Sequence, residues 1–307
     1  MKQKFILLFL LGVFCLQLAI SQTISKEELV FLTSEWKGER FADGRPKIPD
    51  DLLNRARKVG IEEAWTVLNN EGYTNQYEGN WKTSGGDVPV VGRAVTAVFI
   101  PSRPDLVRNI TERGHKSGFN GASNSWPISV LQKDDVYVVD CFGKIDEGTL
   151  IGDNLGNAIF NRTGTGVVFD GGARDMQGLA AIEGFNAYVR GFHPSYLKNV
   201  ILAGLNTPAR IGSAVVLPGD LVITESGGVL FIPAHMVELV ITTCEFIALR
   251  DKFSHERLKQ GVYNAGQIDS QWTNAIIEDF MKWLKQNPEL QQLTRAQVDE
   301  FMKKRTW

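Results

Sequence analysis

Asp153 and the pair Arg174–Asp175 are separated by twenty residues that read as one helix and one strand. Gly152 stands just before the helix, so the amides of Asp153, Asn154 and Leu155 are expected to point outward unpaired, as a seat for an anionic oxygen. The strand GVVFD then delivers Gly171 and Gly172, which are expected to let the backbone turn sharply and approach a ligand. Arg174 and Asp175 follow at the carboxyl end of that strand, where open α/β sheets place their ligands. A guanidinium grips a carboxylate through two parallel hydrogen bonds, and two carboxylates hold or orient a hydrated hard cation such as Mg2+. The set suits a small metal-chelating carboxylic acid. Spacing alone leaves an ordinary surface ion pair after a strand equally open.

The elements that must position these residues are legible as short apolar runs broken by Gly, Asp and Pro. VVGRAVTAVFI, VYVVDCF, GVVFDGG, AYVRGF and VVLPGDLVITESGGVLFIP have the length and Val-rich composition of buried strands. Helical spacing appears between them at Leu155, Ala158 and Ile159, which implies a layered α/β fold with a mixed sheet. A long helix is expected from Ala234 to about Gly261, with Met236, Val240, Thr243, Cys244, Ile247 and Leu249 on its apolar side, and amphipathic helices at Ile276–Lys285 and Arg295–Lys304. Residues 22–87 form an extension in which Pro49 starts one helix, carrying Leu52, Leu53, Ala56 and Val59, and a second runs from Ile61 to Leu68. Trp36, Trp65 and Trp81 in this extension are read as packing anchors.

The first 21 residues, MKQKFILLFLLGVFCLQLAIS, combine a basic start with an apolar stretch and small residues at Ala19 and Ser21. This is a signal peptide expected to be cleaved before Gln22, placing the protein outside the cytoplasm, periplasmic or secreted. The stretch is shorter than the roughly 20 apolar residues a spanning helix needs, so no stable membrane span is expected after cleavage. Cys141 and Cys244 remain in the mature chain and are read as buried free thiols. The formal net charge of -2, without a basic run, gives nucleic-acid binding no electrostatic support.

Asp153, twenty intervening residues and Arg174–Asp175 together resemble the signature of the family that contains the regulator of ribonuclease activity A (RraA) and the divalent-metal 4-hydroxy-4-methyl-2-oxoglutarate aldolases. The likeness continues through GRAVTA (92–97), LIGDNLGNA (150–158), VVFDGGARD (167–175), NTP (206–208) and LPGDLVITESGGVLFIP (217–233). It implies a three-layer α/β/β core of the phosphohistidine-swivelling type, with added N- and C-terminal helices. The resulting division is a signal peptide (1–21), a helical N-terminal extension (22–87), an RraA-like catalytic core (88–262) and a helical C-terminal extension (263–307). A homotrimer or homohexamer with sites at subunit interfaces is implied as well.

Carried over residue by residue, the resemblance makes Asp175 the direct ligand of Mg2+ or Mn2+, with water filling most of the remaining shell. Asp153 would orient one of those waters, Arg174 would bind the substrate carboxylate, and the amides of Gly152, Asp153, Asn154 and Leu155 would complete a pyruvyl pocket. Asp251 takes the place of a Glu that reaches the metal site of a neighbouring subunit in the aldolases. Glu225 stands where the family usually has Asp and is read as structural. The activity implied is that of a lyase cleaving a 4-hydroxy-2-oxo acid to pyruvate, with oxaloacetate decarboxylation through the same enolate and no Schiff-base Lys. The alternative is a non-catalytic RraA-like regulator or a small-acid binding protein. His193, in FHPSY, has no counterpart in the aldolases and reads equally as a substrate contact, an acid–base group or a structural residue. His115, His235 and His255 show no metal-ligand spacing.

Overall fold

The structure is a computed structural model that describes residues 23–86, 88–290 and 294–303. The signal peptide expected over residues 1–21, and its cleavage point before Gln22, lie outside the described residues. Helices α1 (Lys26–Leu32), α2 (Asp50–Ala56) and α3 (Ile61–Asn70) precede two short strands, β1 (Tyr77–Glu78) and β2 (Lys82–Thr83). The central strands and helices follow as β3 (Val91–Pro101), α4 (Pro104–Lys116), α5 (Trp126–Val130), β4 (Asp135–Thr149), α6 (Asp153–Thr163), β5 (Val167–Ala173), α7 (Met176–Ala180) and β6 (Ala187–Phe192). Strands β7 (Val200–Leu205), β8 (Ala209–Ile211), β9 (Ala214–Val216), β10 (Leu221–Glu225) and β11 (Gly228–Ile232) complete the β structure. Helices α8 (Val237–Lys259), α9 (Ala265–Ile268), α10 (Asn274–Gln286) and α11 (Arg295–Phe301) close the chain.

The main sheet runs β1-β11-β10-β3-β4-β5-β6-β2, with β7 also on β3, and β8–β9 form a separate hairpin. Strands β3 to β6 are parallel neighbours, so β4, β5 and β6 end at the same edge. Alternation along the strands decides what each face meets. Val95, Ala97 and Phe99 of β3, with Tyr137, Val139, Val167 and Phe169 of β4 and β5, share one core with Ile110 of α4, Trp126 of α5, Ile159 of α6 and Leu179 of α7. The intervening Ala94, Val136, Val138 and Val168 share another with Ala209, Ile211, Ala214 and Val216 of the hairpin. Helix layer, sheet and hairpin make the α/β/β core.

The added segments are packed onto that core. Leu52, Leu53, Ala64 and Leu68 of α2 and α3 pack with Val237, Val240 and Ile241 of α8 over Leu230 and Ile232 of β11. The C-terminal half of α8 carries Phe246 and Phe253 into a further cluster with Phe280, Trp283 and Phe301. The N-terminal segment contributes more than helices: Tyr77 pairs with Leu230 and Lys82 with Val189, so it supplies two edge strands of the sheet. Its fully buried Arg45 also reaches Asp135 Oδ2 at 3.2 Å, at the start of β4. Trp81 is buried and carries the Arg190 guanidinium 3.9 Å over its ring, and Trp36 is partly buried. Trp65 is not an anchor, because it lies on the outward side of α3. Among the described residues no helix is long and apolar enough to cross a membrane.

Candidate active site

The end of β5 is held beside the start of α6 by two backbone hydrogen bonds, Leu150 N to Gly172 O at 2.9 Å and Arg174 N to Ile151 O at 3.0 Å. They bring Gly152, the N-cap of α6, against Arg174 and Asp175. A side chain at 152 has no room: its Cβ would collide with Asp175 Oδ2 and stand 3.2 Å from Arg174 Nε. The Arg174 Nε to Asp175 Oδ2 separation is 3.7 Å, too long for a hydrogen bond, and the two side chains are 42% and 39% exposed. Both charged groups are therefore open to a ligand.

Asp175 adopts the left-handed conformation, φ 56° and ψ 43°, at the N-cap of α7. An N-cap Asp ordinarily accepts a hydrogen bond from its own helix, but this one makes no side-chain cap bond. Its carboxylate is turned toward Gly152 instead. Asp is among the few residues that occupy this region at modest cost.

Asp153 joins the cluster from the first turn of α6. Its Oδ1 accepts from Asn154 N at 2.8 Å, and its Oδ2 lies 3.0 Å from where a Cβ on Gly178 of α7 would stand. Two expectations change here. The Asn154 amide is not an open donor, because the neighbouring carboxylate already takes it. Gly171 and Gly172 make room for protein rather than ligand, since a Cβ on Gly172 would stand 2.9 Å from Ile145 O and one on Gly171 3.0 Å from the Cys141 Cβ. The reason is the irregular end of β4, where register with β5 shifts between Asp140 and Lys144 and again before Thr149. Leu155 is half-buried against the core and offers the site only its backbone, while Asn154 is exposed.

The donor set suits one kind of metal. Among the described residues no group of three or more His, Cys, Asp or Glu could enclose an ion. Two carboxylates beside bare backbone match a hard cation that keeps most of its water, as Mg2+ and Mn2+ do, and not a dehydrated zinc cage. The space left by Gly152 opens at the Asp175 carboxylate.

The remaining expected residues lie elsewhere. Asp251 is exposed on α8 and lines a groove of about 1260 Å³ shared with Lys58, Trp65, Tyr77, Lys252 and His255. None of Gly152, Asp153, Arg174 or Asp175 lines that groove. Glu225 Oε2 accepts from Ile61 N at 2.9 Å, capping α3 in place of the side chain that Gly60 lacks. Burial pushes the Cys141 and Cys244 thiols up to about 12, so neither is a thiolate at neutral pH. His193 follows β6 directly, and its backbone N donates to Ala173 O at 3.0 Å. Gly178, whose missing side chain seats Asp153, carried no signal in the sequence, because its neighbour is set by the crossing of α7 over α6.

Comparison with known proteins fits the fold. The family profile described as RraA-like: Aldolase/RraA matches residues 60–231. Protein DlpA of Legionella pneumophila is 26% identical over 229 residues, 74% of this chain and 34% of DlpA, so the chain spans about a third of that relative's length. An uncharacterized Methanocaldococcus jannaschii protein is 27% identical over 96 residues, 31% of this chain and 46% of that protein. The crystal structure of Streptomyces coelicolor RraAS2, described as an unusual member of the RNase ES inhibitor RraA family, superposes with a TM-score of 0.59 at 23% identity, covering 69% of this chain and 100% of that one.

Proposed function

The chain belongs to the RraA-like family, and on that premise we propose that it is a divalent-metal-dependent lyase that cleaves a 4-hydroxy-2-oxo acid and releases pyruvate. Oxaloacetate decarboxylation is a second reaction of the same site in this reading. The observation that supports it is the convergence of Arg174 and Asp175 on the bare backbone of Gly152, with both charged groups open to solvent.

Asp175 would hold the cation, and Arg174 grips the 1-carboxylate, which fixes the reacting bond relative to the sheet edge. A bound Mg2+ or Mn2+ would supply Lewis-acid relief of the charge that builds on the 2-oxo oxygen. When the C3–C4 bond breaks, its electron pair leaves an enolate. The amides of Gly152, Asp153 and Leu155 at the head of α6 offer hydrogen bonds and a favourable helix dipole to that negative charge. Asp153 orients the water that carries the 4-hydroxyl proton away and later returns one to the pyruvate methyl carbon.

The wider reading keeps a homotrimer or homohexamer, in which Asp251 on the α8 helix of one subunit approaches Asp175 of the next, and an exported mature protein. The measurement that tests the function is pyruvate release from a panel of 4-hydroxy-2-oxo acids and oxaloacetate, with and without Mg2+ or Mn2+. Metal-dependent release is expected. No turnover on any member, with metal binding shown by calorimetry, would replace the lyase by a regulator or a small-acid binding protein.

A further inference from the structure

The N-terminal segment and the turn that leads into α8 enclose a cavity of about 300 Å³. Glu35 and Trp36 line it from the turn after α1, Tyr73 and Gln76 from the link between α3 and β1, and Pro233 and His235 from the link between β11 and α8. None of Gly152, Asp153, Arg174 or Asp175 lines it, so it is separate from the site at the end of β5. Its volume is at the lower end of the range for small-molecule sites, which fits a compact ligand and not a nucleotide or a peptide.

The rings of this cavity are fixed in place by the fold. Tyr73 Oη meets His235 Nε2 at 2.8 Å, and the two rings lie edge to face with centroids 5.8 Å apart. The Trp36 indole donates from Nε1 to Glu39 O at 2.8 Å, and Gly38 packs so closely on it that a Cβ there would collide with the ring. Rings held in this way need little further ordering when a ligand arrives.

The charge of the lining selects the kind of ligand. No lysine or arginine lines the cavity, whereas the exposed Glu35 does. Burial holds the His235 imidazole below its ordinary range, against the opposing pull of Glu35, so this ring is neutral at pH 7. The buried Asp220 has both carboxyl oxygens occupied, by Leu217 N and Ala234 N. Gln76 spends Nε2 on Phe231 O at 2.7 Å. An anion entering here finds no fixed counter-charge, but a cation finds aromatic rings and a carboxylate. Attraction between a cation and an aromatic face strengthens as water is excluded. Leu32, Val215 and Leu217 supply apolar wall. A quaternary ammonium suits such a wall better than a primary one, because it has no N–H that must be satisfied.

We propose that this cavity binds a small soluble quaternary ammonium compound of about the size of choline, with its charged head against Trp36, Tyr73 and His235 and balanced by Glu35. The site is independent of the 2-oxo acid reading, and neither depends on the other.

The test is titration of the purified protein with choline and with 3,3-dimethylbutan-1-ol, followed by proton NMR. The two probes share one shape and differ in the charge at the branched centre. The wild type is expected to bind choline at least about tenfold more tightly, the scale of a desolvated cation–π contact. The Trp36 indole N–H signal, assigned by its loss in Trp36→Phe, should shift during the choline titration. Glu35→Gln should cut the preference severalfold, Trp36→Leu should erase it, and Trp36→Phe, which keeps a ring, should retain part. Trp36 also packs on the core of α2, α3 and α8, so the surface change Glu35→Gln carries the test if Trp36→Leu does not fold. Equal affinity for the two probes, no binding of choline, or a preference unchanged in Glu35→Gln and in Trp36→Leu would overturn the proposal. A choline-bearing lipid offers the same head group. Co-sedimentation with phosphatidylcholine vesicles that Trp36→Phe weakens would overturn the soluble compound in favour of a lipid, and no co-sedimentation is expected.

Discussion

Asp175 Oδ2 occupies the space in which any residue but glycine at position 152 would put its Cβ. Gly152 itself has φ -119°, a conformation open to all residues, so its role here is clearance and not backbone freedom. Gly152→Ala is expected to fold with a near-native melting temperature and to lose about 100-fold in kcat/KM, because the acid is pushed off its position by roughly 1 Å. Full activity in a folded Gly152→Ala protein would show that Asp175 does not act from this pose.

Replacing the charged pair separates two functions. Asp175→Asn removes an anionic ligand and should weaken metal binding directly, as read by calorimetry, while circular dichroism stays native. Arg174→Lys should keep metal affinity and raise KM for the substrate, because an ammonium cannot reproduce the planar two-bond grip. Unchanged metal affinity in the first, or unchanged KM in the second, would count against that residue's role.

Asp251 provides the assembly test. It lines the groove between α3 and α8, away from its own chain's Asp175, and can serve the site only from a neighbour. Asp175→Asn and Asp251→Asn proteins, each inactive alone, should recover part of the activity when mixed and reassembled, and dilution of the wild type should lower its specific activity. A monomer by light scattering with full specific activity would remove the shared site.

Asp220 gives a pH dependence of stability. Burial raises its carboxyl to about 7, against the opposing effect of hydrogen bonds from Leu217 N and Ala234 N. The unfolded chain releases that proton near pH 4. Between about 4 and 7 the folded state therefore binds the extra proton, and stability should fall as pH rises through that window, with the loss complete above it. The melting temperature of the wild type is expected to drop from pH 5 to pH 8 more steeply than that of Asp220→Asn. Parallel slopes would show that Asp220 ionises normally.

Much of this was legible before folding. The apolar runs place β3, β4, β5, β6, β10 and β11, because buried strands need unbroken Val-rich segments, and the long helix after Pro233 appears as Ala234–Met236 followed by α8. The spacing of Asp153 and Arg174–Asp175 corresponds to one helix and one strand, enough to return the chain to the same sheet edge. Glu225 was read as structural, and it caps α3.

Other features depended on contacts between segments far apart in the sequence. The glycines at 171 and 172 carry the same letters whether they face a ligand or a β4 backbone, and only the bulge at Lys144–Thr149 shows the second. Trp65 is as apolar as Trp81, but α3 turns it outward while β1 and β2 bury the other beneath Arg190. The His193 ring meets Asp146, which lies on the distant end of β4, only because β4 and β6 end at the same edge of the sheet. A single chain's sequence records side-chain chemistry and local period, which is why it names the charged groups of the site. The direction in which each group points follows from the close packing of strand ends and helix starts, a property that exists only once the sheet has formed.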